Sequence, residues 1–267
     1  MTLFNLLLVA LIQGVTEFLP VSSSGHLVLL PNLTGLEDQG QVIDVAAHVG
    51  TLFAVILYFW SDVKMALDGL LRLVRGKVDT RGAFLALCLL VSTAPVILFG
   101  LFLKVSGVSD ALRDNAIMVV GWTMLVFGLV LYWADQKGPV TRVAEEWTLK
   151  HALTMGFWQC LALIPGTSRS GITITGARML GYNRSDAARL AMLMSIPTIL
   201  ASAFLQGAEV IGTPGVMADI IIVAGMSFMA ALVALILMMK LLRSVSYTPY
   251  VIYRVILGVI LLGIAYT

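Results

Sequence analysis

The sequence predicts an all-α polytopic membrane protein built as two inverted repeats, each a re-entrant helical hairpin followed by three transmembrane helices. The first supporting observation is composition: 59% of the 267 residues are hydrophobic and 12% are charged, against about 25% charged in a typical soluble domain. The second is that apolar runs of membrane-spanning length recur in the same order in both halves of the chain. We therefore expect bilayer lipids as partners and no nucleic acid.

The first half begins with a broken apolar segment. Residues 3–19 are apolar, but Pro20 ends the run before about 20 residues, the length that a helix needs to cross a bilayer. A second short apolar run, 27–36, follows a serine-rich turn. Two half-length helices of this kind predict a re-entrant hairpin, which needs protein or a wet cavity around its free backbone groups. The three crossings that follow are predicted at 42–59, 84–103 and 116–134.

The second half repeats this pattern. Residues 152–164 are apolar, Pro165 begins a turn, and a shorter apolar run extends to residue 182. The predicted crossings that follow are 187–208, 218–239 and 250–266. We treat 1–267 as a single membrane domain, with repeat one at about 1–134 and repeat two at about 150–267. Because each repeat crosses an odd number of times, the second is inverted relative to the first, as in transporters with broken helices.

Basic residues predict the orientation. Nearly all Lys and Arg residues fall in four loops, whereas the opposite side holds only Lys104 and Arg113. Cytoplasmic loops are enriched in Lys and Arg, so the four loops are expected to be cytoplasmic. Both termini and the first hairpin then lie outside, and the second hairpin enters from the cytoplasm. Arg254 is expected to snorkel to the interface. The four basic loops are 61–82, 135–150, 178–189 and 240–254.

The turns of the two hairpins read as copies of one another, LPVSSSGH from residue 19 and IPGTSRSG from residue 164. After each proline the chain restarts as a helix, whose unpaired N–H groups and positive end favour phosphate. Arg169 can add bidentate contacts to phosphate oxygens. We expect the turns to meet and form a polar pocket for a phosphorylated lipid. The expected substrate-binding residues are Ser22, Ser24, Gly25, Thr167, Ser168, Ser170, Gly171 and Thr173, although the last could instead bond back to its own helix.

Four residues near these turns are predicted to be catalytic. A carboxylate or a guanidinium near the bilayer centre costs about 2.5–3.5 kcal/mol, so Glu17 and Arg169 need a partner or a task. A pair buried only for stability is often no better than apolar packing, which favours a functional interpretation. His26 follows Ser23 by one helical turn, where it could exchange a proton with the hydroxyl.

Three motifs in order resemble those of the undecaprenyl pyrophosphate phosphatase family, also called the bacitracin-resistance protein BacA family. They run from Gln13 to Glu17, from Pro20 to His26 and from Pro165 to Thr173, and the resemblance spans the chain. It implies hydrolysis of undecaprenyl pyrophosphate to undecaprenyl phosphate and inorganic phosphate. This reaction recycles the lipid carrier of peptidoglycan synthesis at the outer, periplasmic face of the bacterial inner membrane. The resemblance also implies a divalent cation, Mg²⁺ or Ca²⁺, with Glu17 and Gln13 as its ligands.

Several alternatives stay open at this stage. Ser23 is the expected nucleophile, but Ser22 is adjacent and a metal-activated water would need no nucleophilic side chain. A type-2 phosphatidic acid phosphatase would carry a histidine where this chain has Thr175, so that match fails. A transporter or lipid flippase would suit inverted repeats equally well. His48 and His151 are assigned structural roles, and a homodimer is neither predicted nor excluded.

Overall fold

A computed structural model describes residues 2–35, 39–108, 112, 115–210 and 217–267. Within these ranges the protein is all-helical, with an isolated bridge between Arg142 and Tyr182 in place of any strand. Residue 36, the expected end of the first hairpin, and Arg113 lie outside the described residues. The helices are α1 (Leu3–Thr16), α2 (Ser23–Thr34), α3 (Gly40–Tyr58), α4 (Trp60–Val74), α5 (Arg81–Val105), α6 (Ala116–Lys137), α7 (Leu149–Cys160), α8 (Arg169–Met179), α9 (Arg184–Val210), α10 (Met217–Leu241) and α11 (Thr248–Tyr266).

Six of these helices are long and apolar enough to cross a bilayer, which confirms the six predicted crossings. They are α3, α5, α6, α9, α10 and α11. Two begin three residues earlier than the sequence predicted, because polar side chains cap them. Thr80 Oγ1 accepts the amide of Ala83 at 3.2 Å, and Asn183 Oδ1 accepts that of Asp186 at 2.9 Å. Such caps satisfy amides that have no partner within the helix, so the helix extends into the polar loop.

The outer surface of the crossing helices is apolar. Leu98 is 68% exposed, Phe204 81% and Ile221 65%, and these side chains lie on three different crossing helices. Exposed apolar area on this scale would be unfavourable in water, at roughly 25 cal/mol per Å². It is the surface expected of helices that face hydrocarbon.

The short helices of each half pack against a crossing of the other half. Helix α1 lies on α10 and α7 lies on α5, while α3 packs on α10 and α9 on α5. A Cβ atom at Gly14 of α1 would come within 2.8 Å of the Ser227 carbonyl oxygen, and one at Gly156 of α7 within 2.6 Å of the Ser92 carbonyl oxygen. Only glycine permits backbones to approach this closely. The two halves are therefore held together by equivalent contacts.

Ion pairs join three of the predicted cytoplasmic loops at one end of the bundle. Arg189 Nη2 and Nε lie 2.5 and 2.9 Å from the two carboxylate oxygens of Asp62. Arg189 also pairs with Glu145 at 3.1 Å, and Arg81 pairs with Glu145 at 3.0 Å. Partly exposed pairs of this type contribute about 0–1 kcal/mol each. Their main consequence is geometric: these basic loops share one end of the molecule.

Candidate active site

The turns that precede α2 and α8 have the same local structure. Ser22 has φ 73° and Ser168 has φ 71°, and they are the non-glycine residues with positive φ in the described part of the chain. Each serine caps the helix that follows, with Oγ accepting an amide three residues on at 3.3 or 3.2 Å. A serine in the left-handed region costs of order 1–3 kcal/mol, so the surrounding structure must hold it there. Strain of this kind, twice in one molecule, marks a candidate functional site.

The two turns touch each other, as the sequence predicts. Ser170 Oγ donates to the carbonyl of Leu19 at 2.9 Å. Arg169 of the second turn donates through Nη2 to Glu17 Oε1 of the first. The Glu17 side chain is 6% exposed and that of Arg169 is 15% exposed. The ion pair therefore lies inside the protein, where solvent screens it only weakly.

Arg254 does not snorkel to the interface, so that expectation from the sequence is wrong. Its side chain is fully buried, and its guanidinium donates to carbonyls of both turns. The bonds to the turns are 3.3 Å to Pro20, 3.3 Å to Gly166 and 2.9 Å to Thr167. Carbonyls in a broken helix have no helical partner, and the five donors of an arginine can satisfy several at once. Arg254 thus links the two turns through hydrogen bonds to both of them.

The carboxylate of Glu17 is contacted by three other groups of the site. Its Oε2 accepts the hydroxyl of Ser23 at 2.6 Å and the Gln13 amide at 2.9 Å, while Oε1 faces Arg169. Because an ionised carboxylate only accepts, the Ser23 proton points at Glu17. Ser23 thus has a base within hydrogen-bond distance, which is the geometry of an activated nucleophile.

His26 makes different contacts from those predicted. Its Nδ1 lies 2.6 Å from the Ser22 carbonyl oxygen, and its Nε2 lies 2.5 Å from the Tyr253 hydroxyl. The carbonyl can only accept, so Nδ1 carries a proton and a neutral ring accepts from Tyr253 at Nε2. Both ring nitrogens therefore have partners other than the Ser23 hydroxyl. A direct Ser23–His26 proton transfer stays a prediction without a supporting contact.

His48, to which the sequence analysis gave a structural role, lies in the site. Its Nδ1 donates to the Asp44 carbonyl at 2.8 Å, and its Nε2 lies 3.8 Å from Glu17 Oε2. In the neutral ring this arrangement leaves Nε2 unprotonated and able to accept a proton. The signal in the sequence was an aspartate and a histidine four residues apart on an otherwise apolar crossing, which places them on one face.

A cavity of about 370 Å³ lies where the turns meet helices α3 and α9. Its lining includes six of the predicted residues, namely Glu17, Ser22, Ser23, Ser24, Ser168 and Arg169. It also includes Asp44, His48, Thr198 and Ser202, which the sequence analysis did not select. The cavity is large enough for a phosphate group and its waters, and its lining combines hydroxyl and charged side chains with apolar ones.

The other predicted binding residues support the turns. Thr173 Oγ1 bonds back to the Arg169 carbonyl at 2.8 Å, the alternative left open above. The amides of Gly25 and Gly171 are used by the capping serines, and Thr167 Oγ1 is buried without a hydrogen-bond partner. The amides still available are the first two of each helix. Across the described ranges, no acceptor is recorded for the amides of Ser23, Ser24, Arg169 and Ser170.

The oxygen atoms around the cavity are of the type that binds a hard divalent cation. Glu17 and Asp44 place two carboxylates on the cavity, and the buried Gln13 Oε1 beside Glu17 has no hydrogen-bond partner. Oxygen ligands of this type suit Mg²⁺ or Ca²⁺. The described residues contain no group of three His, Cys, Asp or Glu side chains arranged around a single ion.

Comparison with known proteins agrees with the motifs. The profile of the family described as "Bacitracin resistance protein BacA" matches residues 6–260. The chain belongs to the BacA family. An undecaprenyl-diphosphatase of Dinoroseobacter shibae is 68% identical over 269 residues, covering all of both chains. Undecaprenyl-diphosphatases of Jannaschia sp. and Maricaulis maris are 66% and 43% identical, over 100% and 98% of each chain. With six apolar helices, this BacA-family chain is a multi-pass protein of the inner membrane.

Proposed function

We propose that this protein hydrolyses undecaprenyl pyrophosphate to undecaprenyl phosphate and inorganic phosphate, recycling the lipid carrier of peptidoglycan synthesis. The observation that carries the proposal is the Ser23 hydroxyl donating at 2.6 Å to a carboxylate that also pairs with Arg169. A hydroxyl nucleophile, a base and a phosphate-binding guanidinium thus share one cavity. The names of the relatives that cover the whole chain support the same reaction.

The terminal phosphate of the substrate binds where the turns meet. Arg169 uses one terminal nitrogen on Glu17, and because the residue lines the cavity its remaining guanidinium donors can bind phosphate oxygens. The free amides at the starts of α2 and α8 add donors at two positive helix ends. Ser24 and Ser168 line the same cavity, and their hydroxyl groups add uncharged hydrogen-bond donors. A cation held by Glu17, Asp44 and Gln13 would neutralise phosphate charge as the reaction proceeds.

Hydrolysis proceeds in two steps. Ser23 Oγ attacks the terminal phosphorus while its proton moves to Glu17 Oε2, and the bond from that phosphorus to the bridging oxygen breaks. Undecaprenyl phosphate leaves with the bonding electrons. Water then attacks the phosphoserine and its proton passes to His48 Nε2, which lies 3.8 Å from Glu17 Oε2. The bond from phosphorus to Ser23 Oγ breaks, and Oγ takes back the proton held by Glu17. Inorganic phosphate is released and the serine is restored.

We infer that the protein consists of two inverted repeats whose hairpins enter from opposite faces. The matched turns and the mirrored packing of α1 on α10 and α7 on α5 support this arrangement. The cavity is lined by the beginning of α3 and by α9 beyond Thr198, away from the end that holds the Arg81, Glu145 and Arg189 pairs. With the basic end in the cytoplasm, the cavity opens toward the periplasm.

Phosphate release from the pure protein in detergent tests the proposed reaction. The wild type is expected to release one phosphate from each undecaprenyl pyrophosphate, whereas a transporter would release none. Ser23→Ala removes the nucleophile and is expected to lower turnover by at least about 10²-fold. Ser106→Ala is the matched control, since that exposed hydroxyl bonds only within its own helix end at 3.2 Å among the described residues. Normal turnover in Ser23→Ala would remove Ser23 from this role.

A further inference from the structure

A second polar cavity lies at the other end of the bundle from Ser23. It has a volume of about 410 Å³, and its lining includes Arg178, Arg184, Arg243 and Asp135. Arg184 begins α9, and Thr198 of the same helix lines the Ser23 cavity. Fourteen residues of helix separate them, which is about 21 Å along the axis. The two cavities are therefore distinct.

Positive charge exceeds negative charge in this cavity. The carboxylate of Asp135 is already bonded by Arg184 at 2.7 and 3.1 Å and by the Tyr247 amide at 3.2 Å. Arg178 Nε lies 3.4 Å from the same carboxylate but makes no hydrogen bond. The Arg243 side chain, which is exposed, has no recorded partner within the described ranges. One carboxylate thus faces three guanidinium groups.

The excess of positive charge in this cavity is unfavourable in the protein without a bound anion. The Arg178 side chain is 1% exposed, and the hydrogen bonds it makes go to the carbonyl oxygens of Tyr182 and Asp135 rather than to a carboxylate. A buried guanidinium without a full counter-charge pays its desolvation penalty without a matching Coulombic gain. An anion in the cavity would supply the missing charge, and guanidinium groups bind phosphate oxygens well.

The surroundings indicate that the anion belongs to a lipid. An apolar cleft of about 870 Å³ runs between α1 and α10, lined by side chains such as Val15, Met229 and Leu237. Its lining includes Lys240, Leu241 and Ser244, and the residues between them, Leu242 and Arg243, line the basic cavity. The loop after α10 therefore separates a hydrocarbon-sized cleft from a basic cavity. Basic pockets between transmembrane helices at the cytoplasmic side are suited to anionic head groups.

We propose that the Arg178–Arg184–Arg243 cavity binds the phosphate of an anionic phospholipid from the leaflet at that end of the bundle. The lipid chains lie against α10, and the phosphate lies beside Arg243. The site does not depend on the hydrolytic reaction. It makes the stability of the protein sensitive to membrane composition, because a ligand that binds only the folded state stabilises it.

Native mass spectrometry of the full chain in detergent tests this site, with phosphatidylglycerol, phosphatidylcholine or inorganic phosphate added. Wild type is expected to retain phosphatidylglycerol in preference to phosphatidylcholine. Arg243→Gln is expected to weaken that preference about fivefold, the effect of one basic group near a lipid head group. Arg75→Gln is the control, because it removes an exposed charge that lies outside the cavities described here.

Three results would overturn the assignment. Equal retention of the two lipids would show that the phosphate charge is not recognised. Equal lipid preference in Arg243→Gln and Arg75→Gln would show that the cavity is not the site. Binding of inorganic phosphate without phosphatidylglycerol would identify a site for free anions instead. Phosphate release by Arg243→Gln is expected to match wild type, which verifies that the variant is folded.

Discussion

At the scale of single residues, the proposed reaction depends on the hydrogen bonds that the Glu17 carboxylate accepts. Ser23 and Gln13 donate to one oxygen, and Arg169 pairs with the other. The carboxylate therefore links the proposed nucleophile and the proposed phosphate-binding group through hydrogen bonds. A purely structural pair would need no hydroxyl within 2.6 Å, so the arrangement favours catalysis over simple fastening of the hairpins.

Glu17→Gln is expected to lower turnover by about 10²–10⁴-fold, since an amide of the same shape cannot take the Ser23 proton. The measurement is phosphate release in detergent, with the folded fraction followed by thermal unfolding. Gln13→Glu, which adds a carboxylate beside Glu17 without removing the base, is the comparison. Turnover within threefold of wild type in Glu17→Gln would rule out this residue as the base.

Arg169→Lys keeps the positive charge but loses the planar fork that binds two phosphate oxygens. Turnover is expected to fall by about 10²-fold, because the lost contacts act on charge that develops during phosphoryl transfer. Steady-state kinetics on undecaprenyl pyrophosphate make the measurement. Arg75→Lys, on an exposed loop, is the control and should behave as wild type.

His48→Gln is expected to reduce kcat by about 10-fold or more, because an amide cannot act as a general base for the attacking water. The ring nitrogen Nε2 lies 3.8 Å from Glu17 Oε2, and steady-state phosphate release makes the measurement. His151→Gln provides the matched control, since its ring bonds Tyr182 at 2.7 Å at the basic end. An unchanged kcat in His48→Gln would assign this ring to packing.

At the scale of elements, two broken helices carry the site, and Arg254 sets their relative position. Arg254→Leu would leave carbonyls of Pro20, Gly166 and Thr167 without their donor. A loss of stability of more than about 3 kcal/mol is expected, because each unsatisfied buried polar group costs about 1–3 kcal/mol. Arg254→Lys retains three donors and should be intermediate. Unfolding curves in detergent make the comparison, and equal midpoints for all three proteins would contradict the role.

The crossing helices and the two turns could be predicted from the sequence, because each depends on residues that are close together in the chain. The length of apolar runs located the six crossings, and proline with serine located the two turns. The positive φ of Ser22 and Ser168 could not be predicted, because serine rarely adopts this conformation and the adjacent residues in the sequence do not indicate it. Arg254 was misassigned because its partners lie up to 234 residues away in the chain. His48 was missed for the same reason: its relation to Glu17 is purely tertiary.

At the scale of the whole molecule, the helices form a scaffold with two polar cavities about 20 Å apart along α9. One cavity joins the hairpin turns and holds the proposed chemistry, and the other collects arginines at the basic end. Equivalent contacts between the two halves place the turns against each other, so the proposed catalytic groups come from both halves. Neither half alone contains a complete site.

A double-mutant cycle between Ser23→Ala and Arg169→Lys tests the central claim most directly, because it pairs one residue from each turn. If the two turns form one catalytic unit, the combined variant should be little slower than the slower single variant, as is typical of residues that act together. Turnover losses that multiply, as they do for independent sites, would contradict a shared site formed by both halves of the chain.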